Sequence, residues 1–472
     1  MENISIEIMK SWADRKGSVT SNEEILQWIR NRSASLKVNV EQIDFSYSGF
    51  WFYDEETGYI RNQSSSFFQL AGYQEIEDDL IVAEQPVIIQ DEIGYLGIIC
   101  KMINGTLHFL MQAKIEPGNV NVIQISPTLQ ATKSNFYRKH GGKAPSYLEY
   151  FLGARNHRII VDQVQSEQSS RFYKKRNRNI IILVDGDVPV LDSHKWMTLG
   201  QIKELMRIDN LVNMDTRTVI SCLPLQMPED GKEAEEIRAL IGDEAFFRSV
   251  FSRPDYGAIR QAFNLINDYK MFRREKSRLL PLKSLKGWQM TKREIRCRTP
   301  YDFKVIYCRI EIEDREVKYW EQPLIQAMGQ AVFGVFTCVR DGRRKYLVRV
   351  KHEIGCFDGA ELGPMIQLEP SNARNMISGP EKLFLEKLEK NEGVVLSVVQ
   401  SEEGGRFYHE ENRNAVIEIG EDELGELPEG YLWMDYATIS EMIQFNNCVN
   451  IQLRNLISLL DLPAACRQRV LL

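Results

Sequence analysis

Gln165-Ser166-Glu167, Arg171-Phe172-Tyr173 and Asn177-Arg178-Asn179 return in the same order as Gln400-Ser401-Glu402, Arg406-Phe407-Tyr408 and Asn412-Arg413-Asn414, 235 residues on. Away from this stretch the offset is 237, so two opposed length changes separate the blocks. Glu84-Gln85-Pro86 matches Glu321-Gln322-Pro323, Trp51 matches Trp288, and Arg61 matches Arg298. On the other side, Trp196-Met197 matches Trp433-Met434, and Asn213 with Arg217 matches Asn450 with Arg454. A period this long is not that of a solenoid, whose repeats run to about 20–50 residues. It means two copies of one unit.

The expected organisation is an N-terminal helical segment (1–43), a first repeat (44–225), a helical connector (226–284) and a second repeat (285–472). Apolar spacing predicts helices at 22–32, with Asn22 as cap, and at 232–241 and 256–272. Each copy reads as strands followed by one closing helix, which in the first copy begins near Thr198. The fold class is α+β.

Composition narrows the function. The 472 residues are 43% hydrophobic and 26% charged, a globular balance. A net charge of −7 argues against a general nucleic-acid binder. No signal peptide or membrane-length apolar run is visible, so a cytoplasmic protein is expected. The eight cysteines form no Cys-x-x-Cys pair, which suits reduced, partly buried thiols. Phosphate-loop, dinucleotide-binding, zinc-protease and serine-elbow motifs are all missing, so ATP, NAD and zinc mechanisms have no support.

Three features could carry chemistry. Leu107 to Glu116 alternates, which sets His108, Gln112, Lys114 and Glu116 on one face of a strand. Water on that face is the plain alternative, although Lys351 and Glu353 repeat the Lys–Glu spacing. The segment Arg171 to Arg178 carries five cations in eight residues and could hold a diphosphate, or be a solvated loop. Its counterpart, Arg406 to Arg413, has two Arg balanced by two Glu, so the first copy is the better anion site. Third, Pro127 to Gln165 spans 38 residues against 30 from Pro370 to Gln400. The longer stretch holds Thr128, Lys133, Ser134, Asn135, Tyr137 and His140, side chains suited to a sugar.

Several blocks together resemble a known family, the NDP-hexose 2,3-dehydratases. They are Gly49-Phe50-Trp51, Thr57-Gly58-Tyr59-Ile60-Arg61, Gln85-Pro86-Val87-Ile88, Leu110 to Asn119, Gln165-Ser166-Glu167-Gln168 and Asn213-Met214-Asp215-Thr216-Arg217. The resemblance covers nearly the whole chain. It implies Nudix-like repeats, a homodimer, and action on an NDP-4-keto-6-deoxyhexose, usually dTDP-linked, in deoxysugar biosynthesis. The glutamate-rich metal box of true Nudix hydrolases is missing, so metal-dependent hydrolysis is not expected.

On that substrate the C4 ketone acidifies the C3 hydrogen. A base removes it, the enolate expels the C2 hydroxyl, and a 3,4-diketo-2,6-dideoxy sugar results for a 3-ketoreductase to consume. No cofactor or metal is expected. The base is assigned to His140 or His108, because imidazole titrates near neutrality. Glu116 is the carboxylate alternative, although its recurrence as Glu353 suggests that it orients Lys114. Lys114 or Lys133 would hold the enolate, and Tyr137 would protonate the leaving hydroxyl.

Binding is assigned to Trp51, Arg61, Gln112, Gln124, Thr128, Ser134, Asn135, Arg171, Lys175, Asn177, Arg178 and Arg217. An equivalent second site would use Trp288, Arg298, Lys351, Gln367, Arg406, Arg413 and Arg454. A non-catalytic nucleotide-sugar binding protein is the competing reading.

Overall fold

A computed structural model describes residues 4–46, 50–64, 67–132, 144–313, 317–371 and 377–462. It is α+β, built on four sheets that correspond in pairs. In the first half, a seven-stranded sheet runs Arg158–Ser166, Arg176–Leu183, Gly94–Ile103, Thr106–Lys114, His194–Thr198. Two short strands, Gln124–Ser126 and Leu129–Ala131, join Thr106–Lys114 and Gly94–Ile103 respectively. The second half repeats this order with Val394–Ser401, Glu411–Glu418, Ala331–Arg340, Arg343–His352 and Tyr431–Asp435.

The alternation in Leu107 to Ile115 is real. Leu107, Phe109, Met111, Ala113 and Ile115 all enter the main core. Each large apolar side chain buried there stabilises the fold by about 1.5–3 kcal/mol. That core is shared, because Val335, Tyr346, Val348 and Leu453 of the second half belong to it too.

The six-stranded sheets show how tightly the halves are joined. Val38–Gln42 pairs antiparallel with Phe303–Ile312 in the second half, while Lys276–Leu280 pairs with Gln69–Glu77 in the first. Each leading strand therefore crosses to the other half. This corrects two expectations. The N-terminal segment holds helices Ser5–Ala13 and Asn22–Ser35 but ends in a strand. The connector is helical at Gly231–Ile241, Glu244–Phe251 and Tyr256–Phe272, then also becomes a strand.

Local details differ as well. Ser21, not Asn22, caps the second helix, through a capping box with Glu24. Thr198 caps Leu199–Leu205 as expected, but a further helix, Met214–Ser221, follows it and is capped by Asn213. Its counterpart Ile451–Leu459 is capped by Asn450, and the two helices pack on each other.

Reciprocal bonds lock the halves. Trp51 Nε1 donates to Glu321 O at 2.5 Å, and Trp288 Nε1 donates to Glu84 O at 3.0 Å. Arg217 donates to Ser401 O at 2.5 Å, and Arg454 donates to Ser166 O. Gly118 N donates to Gly404 O and Gly355 N to Ser169 O, each at 2.7 Å. A Cβ at Gly118 or Gly355 would lie 1.6 Å from Phe407 O or Phe172 O, so only glycine permits this approach.

No helix among the described residues is long and apolar enough to cross a membrane. Their seven cysteines are all free.

Candidate active site

The strand Thr106–Lys114 carries Gln112 and Lys114 into a cavity of about 1190 Å³, and Glu116 follows just beyond its end. Gln130 lines the same cavity from the neighbouring short strand and Thr128 from just before it, with Glu167 just past Arg158–Ser166, Lys175 from the following loop and Asn177 from the strand Arg176–Leu183. Asp215 enters from the first turn of its helix. The second half supplies Glu403, Gly405 and Arg406. The site is therefore composite.

The crossing corrects the main binding assignment. Arg171, 2% exposed, donates to Glu369 of the second half at 3.0 Å, and its guanidinium lies 4.5 Å from the Phe303 ring centre. Arg406 does the reverse: it packs over Phe68 at 4.2 Å, donates to Gln90 at 3.3 Å and lines the first cavity. The loop tips 168–171 and 403–406 have exchanged places. The sequence offset of 235 residues pairs these arginines, but does not show that each serves the other half.

Other assignments move away from the cavity. Trp51 and Trp288 are core aromatics that anchor the halves. Arg61 holds Asp54 at 2.8 Å within its hairpin. Gln124 is buried and bonds Ser401 Oγ at 2.7 Å. Arg178 forms two 2.6 Å bonds to Asp162 and reaches the rim only through Tyr95 Oη at 3.2 Å. Arg413 bonds Ser397 Oγ at 3.1 Å. Arg298 lines a separate cavity of about 700 Å³. Burial lowers the Arg217 pKa to about 10 and that of Arg454 in the same direction; both are clamps between halves.

His108 is fully buried, bonds Thr106 O at 2.9 Å through Nδ1 and does not line the cavity. Its burial, which also lowers its pKa, keeps it from a substrate in the cavity. Lys133, Ser134, Asn135, Tyr137 and His140 lie outside the described residues.

The expected difference in loop length is also corrected. Strand pairing puts Ser126 opposite Gln112 and Pro364 opposite Val348, and Leu129 and Ile366 opposite the equivalent Gly97 and Gly334. Pro127 thus corresponds to Pro364, and the spans to Gln165 and Gln400 are 38 and 36 residues.

A polar frame holds Lys114. Its Nζ lies 3.4 Å from Glu116 and 3.5 Å from Gln130 O. Gln130 Nε2 donates to Glu116 at 3.1 Å, and Asn213 Nδ2 donates to Gln130 Oε1 at 3.2 Å. The second half repeats this frame with Lys351, Glu353, Gln367 and Asn450: Lys351 to Gln367 O at 3.1 Å, Gln367 to Glu353 at 2.8 Å, Asn450 to Gln367 at 3.0 Å.

Around the frame the first cavity is crowded with carboxyls. Among the described lining residues are Glu92, Glu116, Glu167, Asp215, Glu313, Glu321 and Glu403, against Lys114, Lys175, Lys318 and Arg406. The expectation of a strongly cationic first site fails for this reason. Arg171 has left, Arg176 stacks on Phe357 and Lys174 on Tyr173, so only Lys175 of that run lines the cavity.

Burial and neighbouring charge tune these groups. Burial, then Glu116, pushes Glu403 up to about 7. Burial, followed by Glu167, Glu403 and Glu116, holds Asp215 well above the usual carboxylate range. Burial lowers Lys175 to about 8 despite Glu167 and Glu92. No cluster of three or more His, Cys, Asp or Glu among the described residues has metal-ligand geometry.

Asp215 and Glu403 were missed from sequence. Their signal lay in the mismatches between copies, because Asp215 corresponds to Gln452 and Glu403 to Gln168.

A cavity that brings a held ammonium beside carboxyls pushed upward by burial is suited to acid–base chemistry. Two stretches, residues 22–223 and 260–460, match the NDP-hexose 2,3-dehydratase family, and the chain belongs to it. A dTDP-4-dehydro-6-deoxy-alpha-D-glucopyranose 2,3-dehydratase of Saccharopolyspora spinosa is 37% identical over 91% of this chain and 89% of its own. Proteins of the same name from Streptomyces violaceoruber and Amycolatopsis orientalis are 35% and 34% identical, covering 93% and 97% of this chain and 97% and 94% of their own. An ADP compounds hydrolase of known structure aligns over 34% of this chain and 85% of its own at 14% identity, with a TM-score of 0.19, too low to carry an argument.

Proposed function

We propose that this chain is a hydro-lyase that removes water across C2 and C3 of a dTDP-linked 4-keto-6-deoxyglucose, in deoxysugar biosynthesis. Membership of the dehydratase family over both halves carries the reading. The cavity supports it with groups suited to enolate chemistry.

In this reading the C4 oxygen meets Lys114, whose ammonium is oriented by Glu116 and Gln130. Removal of the C3 hydrogen puts negative charge on that oxygen, and a preorganised donor there is worth about 3–4 kcal/mol. Arg406 and Lys175 attract the diphosphate. Glu116 serves the frame, because Glu353 does the same in the second half. The enolate then expels the C2 hydroxyl, and the enol becomes a 3,4-diketo-2,6-dideoxy sugar, a substrate for a 3-ketoreductase. His140 remains the base assigned from sequence. The halves are read as two copies of a Nudix-like unit, and the protein as a cytoplasmic homodimer.

One incubation tests the function. Purified protein with the 4-keto-6-deoxy nucleotide sugar in deuterated water should give a product with deuterium at C2, trapped by a 3-ketoreductase. Tight binding without turnover or exchange would instead indicate a nucleotide-sugar binding protein. Release of nucleoside monophosphate would indicate a hydrolase.

A further inference from the structure

Among the cavity positions that change chemical type between the halves, three carry titratable groups in the first half beside a frame that both halves share. Asp215 becomes Gln452, Glu403 becomes Gln168 and Lys175 becomes Glu410. Asp215 stands out among them. Its neighbours in the motif are accounted for: Asn213 caps the helix and Arg217 clamps Ser401. Asp215 itself is 2% exposed, and its Oδ2 has no hydrogen-bond partner among the described residues, yet it lines the cavity. Of the three first-half groups, Glu403 accepts from Gly405 N and Lys175 donates to Glu92 O, which leaves Asp215 as the one with an unpartnered oxygen at the cavity.

We infer that Asp215 is the general acid that protonates the C2 hydroxyl as it leaves. This rests on the dehydratase reading above. The groups facing Asp215 are Glu167, Glu403 and Glu116, opposed by Lys114. Burial and the negative charge of these neighbours both favour the protonated form of Asp215. The second half has an amide at this position, which cannot deliver a proton.

The base takes the C3 proton, and the electron pair forms the C3–C4 double bond with negative charge on the C4 oxygen. The C4 carbonyl re-forms, the pair moves to C2–C3, and the C2–O bond breaks. Asp215 gives its proton to the departing oxygen, which leaves as water. The resulting C3 enol gains a proton at C2 and loses one from its hydroxyl. Asp215 is reprotonated by the proton taken at C3 or by water.

The test compares two substrates in wild-type protein and Asp215→Asn: the natural 2-hydroxy sugar nucleotide and its 2-deoxy-2-fluoro analogue. Fluoride needs no proton to leave. Asp215→Asn should lose about 10²–10⁴-fold in turnover on the hydroxy substrate. It should keep its KM, continue to exchange the C3 hydrogen with deuterated water, and process the fluoro analogue within about tenfold of wild type. Equal losses on both substrates, or no loss on either, would overturn the assignment. A wild-type protein inactive on both would instead overturn the dehydratase reading.

Discussion

The frame Lys114–Glu116–Gln130–Asn213 and the frame Lys351–Glu353–Gln367–Asn450 are built from the same residue types and share the Lys–Gln, Gln–Glu and Asn–Gln bonds. What surrounds them differs. In the second half Arg171 is matched by Glu369 at 3.0 Å, and burial raises the neighbouring Glu410 to about 8. In the first half the position of Glu369 is Thr132, and Arg406 meets the neutral Gln90. One frame thus has an Arg–Glu ion pair beside it, and the other faces a cavity whose lining includes Asp215 and Glu403, both raised by burial. Shared residues build the scaffold, and unshared residues are where chemistry is to be sought.

The clamps test whether the halves depend on each other. Arg217→Met and Arg454→Met each strand a carbonyl and carboxylates in the interior. Loss of one partner of a buried charged contact costs about 3–5 kcal/mol. Denaturant unfolding should show that loss for both variants in a single transition. Two separated transitions would mean that the halves are independent.

The exchanged arginines should separate binding from stability. Arg406→Ala should raise KM about 10–100-fold, as expected for a charged hydrogen bond worth about 1.5–3 kcal/mol. Arg171→Ala should leave KM unchanged and lower the melting temperature, because Glu369 and Glu410 lose their cation. Steady-state kinetics beside thermal unfolding checks both. The opposite pattern would return the diphosphate site to the basic run of the first half.

Glu403→Gln gives the first cavity the amide present at the matching position of the second. Glu403 raises the Asp215 pKa, so its removal lets Asp215 ionise at lower pH. The acid form is lost as pH rises through that pKa. The basic limb of the kcat profile should therefore move down by about one unit or less.

The smallest effect concerns Lys175, whose burial sets its pKa at about 8. At that pH half the ammonium is lost, so KM should rise about twofold there and further above it. Lys175→Arg should flatten this rise, because guanidinium stays charged.

Much of this architecture was legible in the sequence. The alternation of Leu107 to Ile115 put Gln112, Lys114 and Glu116 on a common face, and the 237-residue offset paired the halves. Chain crossing was not legible. Nothing local to Arg171 or Arg406 says that Gly355 and Gly118 let each loop tip reach the other half. His108 misled for a related reason: it shares the face of Lys114 but lies under packed structure rather than in the cavity. The loop-length argument failed because Pro370 was aligned where Pro364 belongs.

In the proposed reaction only the first of the two similar frames does the chemistry. Lys114→Met and Lys351→Met remove the same ammonium from each at similar volume. Turnover of the 4-keto-6-deoxy nucleotide sugar, measured on variants shown to be folded, decides between them. Turnover should fall at least about 10²-fold in Lys114→Met and stay near wild type in Lys351→Met. Loss confined to Lys351→Met would contradict this assignment.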